Sequence, residues 1–379
     1  METRIRTYIA KSITLLSLIT VLSCSVSKKQ ASTSSALDEI QKKHVPDTRT
    51  GVFDYTFENG EYILKTSSKA AFKEISQSSL KKRGSVSLLP SADLGADTLA
   101  YITLSVANIR SKPGHSQELA TQALMGTPIR ILEKVGSWYR IQTPDKYIGY
   151  AQSSDFVWQK DATKGPQIIF AVPYGFLLEE PKADARHVSD LVFGDLLTLL
   201  ELGGGFAKVS TPDGRVGFVP NGEVNTLSSF LKDATFDHLD QTASQLLGIP
   251  YLWGGTSFKG VDCSGFSRTV FMQHGYYLPR DASQQAMVGD EISLENNYSN
   301  LRKGDLLFFG RQQDGKPKVT HVAIYLGDLR FIHSSGMVRY ASLNPDSPEY
   351  DDFNANRLLM ARRINNRPDI QKLNSKTLY

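Results

Sequence analysis

Apolar and polar residues alternate in short runs through much of the chain and change to helical spacing in a few segments. Between Gly51 and Leu64 the alternation brackets Asn59-Gly60, a strong signal for a two-residue hairpin turn, and Ser67 to Leu80 has helical character. Further on, runs such as Ile129-Arg130-Ile131 and Tyr139-Arg140-Ile141 are separated by Gly and Pro-Asp turn signals, the pattern of strands in a small β-barrel. Phe236, Leu239, Ala243 and Leu246 recur at helical spacing until Gly248 and Pro250 stop them. Phe266, Val270, Phe271 and His274 keep a helical period after Cys263 and up to Gly275. Gly304 to Phe309 then reads as a buried strand and Val319 to Leu326 as a half-buried one, and a Gly327-Asp328 turn leads into Arg330-Phe331-Ile332-His333.

The strand-rich middle is a repeat. Pro113 to Gly149 aligns without a gap on Pro181 to Gly217, so that Gly126 meets Gly194, Leu132-Glu133 meets Leu200-Glu201 and Thr143-Pro144-Asp145 meets Thr211-Pro212-Asp213. Aromatic residues coincide as well, Trp138 with Phe206 and Tyr150 with Phe218. Two small barrels are therefore predicted, over 96–160 and 161–228. The first copy, with Arg110 to Pro113, Gly136-Ser137-Trp138-Tyr139 and Tyr147-Ile148-Gly149-Tyr150-Ala151, resembles bacterial SH3 domains, and the other copy resembles a more divergent one. The resemblance implies binding to cell wall or on the substrate side; the alternative is a pair of spacers whose aromatics fill the barrel cores. Residues 46–95 read as a hairpin and helix packed on the first barrel, with no function assigned.

Length and charge narrow the picture. A chain of 379 residues suits two or three domains, and 40% hydrophobic with 22% charged residues is globular composition, not that of a disordered chain, collagen or coiled coil. A net charge of +4 without a dense basic stripe leaves no footprint for nucleic acid. Two cysteines exclude a disulfide framework, and neither has a neighbour at zinc-finger spacing. Arg4, Arg6 and Lys11 precede an apolar run, Ile13 to Leu22, that is well short of the roughly 20 residues a membrane-spanning helix needs. Residues 1–23 thus read as a secretory signal. Val21-Leu22-Ser23-Cys24 resembles a bacterial lipobox, which implies cleavage before Cys24 and its acylation; an ordinary signal that discards Cys24 is the alternative. On the first reading 24–45 is a flexible lipidated tether, and the protein is an exported lipoprotein anchored in the bacterial cell envelope, on the periplasmic side.

Cys263 begins a predicted helix, where free amide N–H groups and the helix dipole favour thiolate over thiol. His321 and His333 fall on neighbouring strands of one predicted hairpin, close enough for their rings to hydrogen-bond. A cysteine nucleophile, a histidine base and a second histidine orienting it follow the logic of papain-like enzymes. Gly248-Ile-Pro-Tyr-Leu-Trp-Gly-Gly255, Asp262-Cys-Ser-Gly-Phe266, Leu278-Pro-Arg-Asp281, Gly304-Asp-Leu-Leu-Phe-Phe309, His321-Val-Ala-Ile-Tyr-Leu-Gly327 and Phe331-Ile-His333 occur in that order. Over roughly 235–364 the chain resembles the NlpC/P60 family of bacterial cell-wall cysteine peptidases. The resemblance implies a papain-like α+β domain, bounded here at 229–366 with 367–379 as a tail, a catalytic set of Cys263, His321 and His333, and oxyanion donors in the Cys263 N–H and Tyr251.

The layout of signal, two SH3-like modules and peptidase is similar to that of the dipeptidyl-peptidase VI type of γ-D-glutamyl-L-diamino acid endopeptidases. That similarity implies peptidoglycan stem peptides with a free N-terminal L-Ala as substrate, as in murein peptide recycling. Asp262, Ser264, Arg280 and Asp281 would then line the peptide pocket, with Asp281 facing the amine; some relatives have a hydroxyl directly after this Asp, whereas here Ala282 follows it and Ser283 comes next. Tyr147, in the Asp145-Lys146-Tyr147 turn of the first barrel, is a candidate for the pocket wall. Arg280 could instead make a surface ion pair, and Asp305 reads as a turn-holding residue. No cofactor or metal is expected and the protein reads as a monomer. The alternatives are an endopeptidase acting on intact wall, a catalytically silent wall-binding protein, lipid transferase or amidase chemistry, and a zinc site at Cys263, His321 and His333.

If Cys24 is acylated, full-length protein partitions into detergent and incorporates labelled fatty acid, and Cys24→Ser loses both; labelling that persists in the variant rules the anchor out.

Overall fold

The structure is a computed structural model, and it describes residues 29–233, 238–364 and 371–372. The signal segment, Cys24 and Phe236 lie outside the described residues. The chain divides into two compact units, one ending at Gly95 and one beginning at Ala96.

In the first unit Phe53–Glu58 pairs antiparallel with Glu61–Thr66 through the predicted hairpin, with Asn59 and Gly60 both at positive φ. The helix Lys69–Gln77, capped by the Ser68 side chain on the Ala71 amide at 3.2 Å, carries the chain across to Gly84–Leu88, which pairs parallel to the second strand. Gly84 is needed there, because a Cβ would come within 2.1 Å of the Tyr62 carbonyl oxygen. Residues 29–44 are helical rather than a flexible tether. Their Ser, Lys and Gln content disguises one apolar edge: Leu37 and Ile40 are buried with Tyr62, Leu64 and Ile75. A single buried edge suffices to hold a helix whose other faces are solvated.

The second unit contains two seven-stranded antiparallel sheets and one six-stranded sheet. The repeat is reproduced in three dimensions. The first sheet runs Phe156–Trp158, Leu99–Ile102, Pro128–Val135, Trp138–Gln142, Ile148–Gln152, Val106–Arg110, Leu119–Leu124. The second has the same order, from Val224–Thr226 through Gln167–Phe170, Leu196–Leu202, Phe206–Ser210, Val216–Pro220 and Tyr174–Leu178 to His187–Val192. The two modules meet at Asp195, fully buried, whose carboxylate accepts from the amides of Met125 at 3.1 Å and Val192 at 2.9 Å. Burial there pushes its pKa well above the ordinary carboxylate range, against the pull of those two amides.

The C-terminal domain places a helix against a sheet. Helix α1 (Cys263–Gln273) and the short α2 (Ala282–Gln285) precede β1 (Asp290–Ile292), β2 (Leu306–Gln313), β3 (Lys316–Gly327), β4 (Arg330–Ser335), β5 (Met337–Ser342), α3 (Asp352–Ala355) and β6 (Leu358–Arg363). The sheet order is β1-β6-β2-β3-β4-β5, antiparallel throughout. Phe266, Val270 and Phe271 of α1 pack with Phe308, Val322, Ile324 and Ile332, while Leu307, Phe309, Ala323, Tyr325 and Phe331 form a second core. Residues on one strand alternate between the two cores, as a sheet buried on both faces requires. Asp305 accepts from the Arg302 amide at 2.8 Å, as expected of a turn-holding residue, and also pairs with Arg363 at 2.7 Å.

This domain and the first module share polar joints that are out of water. Asp145, at the tip of the Thr143-Pro144-Asp145 turn, forms an ion pair with Arg268 of α1, their side chains 4% and 7% exposed. The Arg268 guanidinium also lies over the Tyr277 ring, 4.2 Å from its centroid. The matching turn of the repeat has a different use: Asp213 pairs with Arg215, about one third exposed, and Arg215 donates to the carbonyl oxygen of Thr103 at 2.6 Å.

These twin turns allow a controlled comparison. Asp145→Asn strands the buried guanidinium, and a loss of about 3–5 kcal/mol is expected, read as a lower denaturation midpoint. Asp213→Asn should cost no more than about 1 kcal/mol, since its pair is solvated. Equal midpoints for the two variants would show that the Asp145 joint does not hold the module to α1.

Candidate active site

The first turn of α1 is built by Asp262. Its side chain caps the helix by accepting from the Gly265 amide at 2.7 Å, and its other oxygen accepts from the Gly254 amide at 3.0 Å. The Gly254-Gly255 pair is there for close approach: a Cβ on Gly265 would sit 1.9 Å from the Gly255 carbonyl oxygen, and one on Gly254, at φ +80°, would sit 2.3 Å from that of Leu119. Arg280 closes the cluster from the far side. Its guanidinium donates to both oxygens of Asp262 at 3.1 and 2.5 Å, to Ser264 Oγ at 3.0 Å and to Thr121 Oγ1 of the first module at 3.0 Å. Arg280 thus makes a buried ion pair, not a surface one. Asp262, Ser264 and Arg280 spend these bonds on one another around the nucleophile.

Cys263 is 7% exposed at the first position of α1. Burial, then the Asp262 carboxylate, push its thiol up to about 11, and the amides of Val322 and Ser264 together with Arg280 only partly oppose this. Two effects thus oppose each other at the sulfur: the helix-start amides favour the thiolate, and desolvation favours the thiol. The Val322 amide that reaches the sulfur follows His321 directly on β3.

His321 and His333 share one face of the sheet, displaced by odd steps from the paired Ile324 and Ile332. His321 Nε2 and His333 Nδ1 are 2.9 Å apart, with the rings edge to face. Phe309 and Phe331 flank them, with centroids 5.7 Å from His321 and 5.2 Å from His333. Burial is the main cause that holds both imidazoles below the usual histidine range; for His321 the His333 ring adds to it, and for His333 the Arg339 side chain does. Burial thus favours the uncharged forms of the thiol and of both imidazoles. His321 commits Nε2 to His333, which leaves Nδ1 as its other ring nitrogen.

Tyr251 is anchored by its amide on the Gly336 carbonyl oxygen at 2.9 Å and by a bridge to Val261. Burial and then the neighbouring Cys263 and Asp262 push its pKa above the usual phenol range, so its hydroxyl remains a donor. Asp281 caps α2 in a capping box with Gln284 and accepts from the Tyr147 hydroxyl at 3.2 Å. The first module therefore does bring Tyr147 to this edge of the domain. Ala282 is buried beneath the cap, and Ser283 is exposed. Sequence reasoning did not single out Gln285, fully buried, which donates to the carbonyl oxygens of Ser264 and Pro279 and ties α2 to α1. It also passed over Asp351, whose Oδ2 lies 3.9 Å from His333 Nε2. Neither belongs to a local motif. Among the described residues no group of three or more His, Cys, Asp or Glu side chains is arranged to hold a metal.

A buried cysteine that starts a helix packed on a sheet, and a hydrogen-bonded histidine pair carried by that same sheet, are the residue types of a thiol hydrolase. Residues 248–357 match the NlpC/P60 family and 105–157 match the bacterial SH3 domain. The chain is 30% identical over 250 residues to a gamma-D-glutamyl-L-lysine dipeptidyl-peptidase of Bacillus cereus, covering 62% of this chain and 73% of that one. It is 28% identical over 266 residues to dipeptidyl-peptidase 6 of Lysinibacillus sphaericus, covering 66% of this chain and 94% of the relative. An NlpC/P60 family protein from Bacillus cereus has a similar structure, with a TM-score of 0.60 at 25% identity over 70% of this chain and 99% of that one. The chain belongs to the NlpC/P60 family and is a cysteine peptidase.

With the thiol protonated at rest, alkylation of Cys263 by iodoacetamide should keep accelerating beyond about pH 9, and Cys263→Ala should abolish both alkylation and peptide cleavage. His321→Ala should be nearly as severe and His333→Ala milder. An alkylation rate already flat at neutral pH would instead reveal a preformed thiolate.

Proposed function

We propose that the protein hydrolyses the γ-D-glutamyl-L-diamino acid bond of short peptidoglycan stem peptides that carry a free N-terminal L-Ala. The observation that carries this reading is the Tyr147–Asp281 hydrogen bond. Arg280 is tied to Asp262 and Ser264, the residues on either side of Cys263, so the carboxylate of the next residue, Asp281, is held near the nucleophile. An ammonium group entering a partly dehydrated cleft needs such a carboxylate, because an unpaired buried charge is costly. Tyr147, itself buried, stands against that carboxylate, and in this reading it limits the site to a short peptide end. The name of the Bacillus relatives, gamma-D-glutamyl-L-lysine dipeptidyl-peptidase, agrees with this bond.

In the reaction Cys263 Sγ attacks the γ-carbonyl carbon of D-Glu as its proton passes to His321 Nδ1. The developing oxyanion takes hydrogen bonds from the Cys263 N–H and the Tyr251 hydroxyl. Collapse breaks the C–N bond, and the leaving amine takes the proton from His321. Water, deprotonated by the same nitrogen, then hydrolyses the thioester and restores the thiol. The domain acts as a papain-like unit, and the second sheet module, sharing the strand order of the first, is an SH3-like spacer that braces it. The enzyme works at the bacterial envelope membrane, held as a monomer by lipid on Cys24.

Acetylating the N-terminal L-Ala of L-Ala-γ-D-Glu-L-Lys should lower kcat/KM by roughly 10²-fold or more, about 2–5 kcal/mol for stranding one partner of a desolvated charge pair. Asp281→Asn should weaken cleavage of the free peptide and narrow the gap to the acetylated one. Equal cleavage of the two peptides, or digestion of purified sacculi as fast as tripeptide, would replace this reading with a general wall endopeptidase.

A further inference from the structure

The histidine pair has an end that the peptidase reading leaves unexplained. His333 is 0% exposed, and its Nε2 has no hydrogen-bond partner among the described residues. A buried imidazole nitrogen without a partner costs free energy unless something nearby compensates it. The carboxylate that faces it is that of Asp351, with Oδ2 at 3.9 Å. We propose that Asp351 is a positioning residue of the catalytic set, selecting the tautomer of His333 that lets His321 act as a base.

The argument follows from proton bookkeeping along one line of atoms. His321 Nε2 and His333 Nδ1 share a single hydrogen bond at 2.9 Å, so one of them carries the proton and the other accepts. If His333 is the Nδ1–H tautomer it donates to His321, which then holds its own proton on Nδ1 and cannot receive another from the thiol. If His333 is the Nε2–H tautomer, its Nδ1 accepts from His321 Nε2–H, and His321 Nδ1 presents a lone pair. Only the second arrangement is productive, and a carboxylate facing His333 Nε2 favours it. At 3.9 Å the carboxylate acts through its charge, or through a bridging water, rather than by a direct hydrogen bond.

Asp351 is built to remain charged and in place. It caps α3, Oδ1 accepting from the Asn354 amide at 3.1 Å and Oδ2 from Asn354 Nδ2 at 2.7 Å, and its own amide donates to the Ser342 carbonyl oxygen at 3.0 Å. Burial works against its ionised form, but the Asn354 bonds, His333 and Arg339 hold its pKa below the ordinary carboxylate range. The other charges facing the pair come from every side. Arg339 on β5 lies directly across from His333 in register, and Arg357, just past α3, donates to Thr320 Oγ1 beside His321 at 2.7 Å. Both cations disfavour a protonated imidazole, and among these neighbours Asp351 is the group that favours it. It thus also stabilises the imidazolium formed when the thiol proton moves to His321.

Asp351→Asn keeps the cap, since an amide oxygen still accepts from Asn354, but removes the charge. On the tripeptide kcat should fall about 10- to 100-fold with KM within about two-fold, and the acid limb of the pH profile should move to lower pH by roughly half a unit to one unit. The sign follows because the carboxylate raises the proton affinity of the pair. Alkylation of Cys263 by iodoacetamide at neutral pH should slow several-fold, and Asp351→Glu should restore part of kcat and return the limb. In a His333→Gln background Asp351→Asn should have no further effect. An unmoved limb, or an equal loss in both backgrounds, would reduce Asp351 to a helix cap and overturn the proposal. Nitrogen-15 spectra of unmodified protein provide a reading independent of any variant's folding: His333 should carry its proton on Nε2, and an Nδ1–H signal would overturn it. The alkylation and spectroscopic readouts need no substrate, so they stand apart from the choice of peptide: failure to cleave the tripeptide would sink the substrate reading alone.

Discussion

The guanidinium of Arg280 and the carboxylate of Asp262, the residue that precedes Cys263, meet out of water, and the geometry of the helix start depends on their pairing. Asp262 caps α1, holds the Gly254 amide and accepts from Arg280 in a bidentate manner, so a single carboxylate sets the helix start, the loop ahead of it and the strand-like segment behind it. A buried pair of this kind adds little net stability over apolar packing, but it tolerates only one arrangement, because either charge left alone would be strongly destabilising. Its role here is geometric specificity. The two glycines ahead of Cys263 and Gly265 behind it serve the same end by letting backbones approach where a side chain would collide.

The first module is part of the same construction. Thr121 completes the Arg280 shell, Asp145 neutralises Arg268, Tyr147 donates to Asp281, Glu118 accepts from Trp253 and Gln122 accepts from the Thr256 amide. Several of these groups are buried polar atoms that would be stranded if the module moved away, so the module is fixed against the domain rather than tethered to it. The second module reaches this arrangement through Asp195 and through the Asp190–Lys259 ion pair, which also engages Ser105.

Desolvation sets the chemistry. The thiol and both imidazoles are buried deeply enough to favour their uncharged forms, in spite of a helix start aimed at the sulfur. In the proposed reaction charge develops as the proton moves from sulfur to nitrogen and the negative charge to the carbonyl oxygen. In the proposed reaction the Tyr251 hydroxyl, the first-turn amides and a carboxylate behind the histidines are the groups that stabilise charge at that moment, and they contribute more in such a place than they would in water.

Sequence alone determined the repeat, the strand-rich modules and the order of the C-terminal elements, and it singled out Cys263, His321 and His333, of which the two histidines meet in the structure. Each is written locally, in alternation, turn residues or contiguous motifs, and local signals survive without a fold. Tyr147 and Asp281 were each legible as pocket candidates but their pairing was not, because the two residues meet across a domain boundary. The helix over 29–44 was missed, since two buried apolar residues in a polar stretch leave almost no periodic signal until a sheet is there to receive them. Tertiary structure alone decided the protonation of the thiol, the inward role of Arg280, the tie made by Gln285 and the approach of Asp351 to His333. All four depend on how far a group is from water and on partners distant in the chain, and neither property is encoded in spacing.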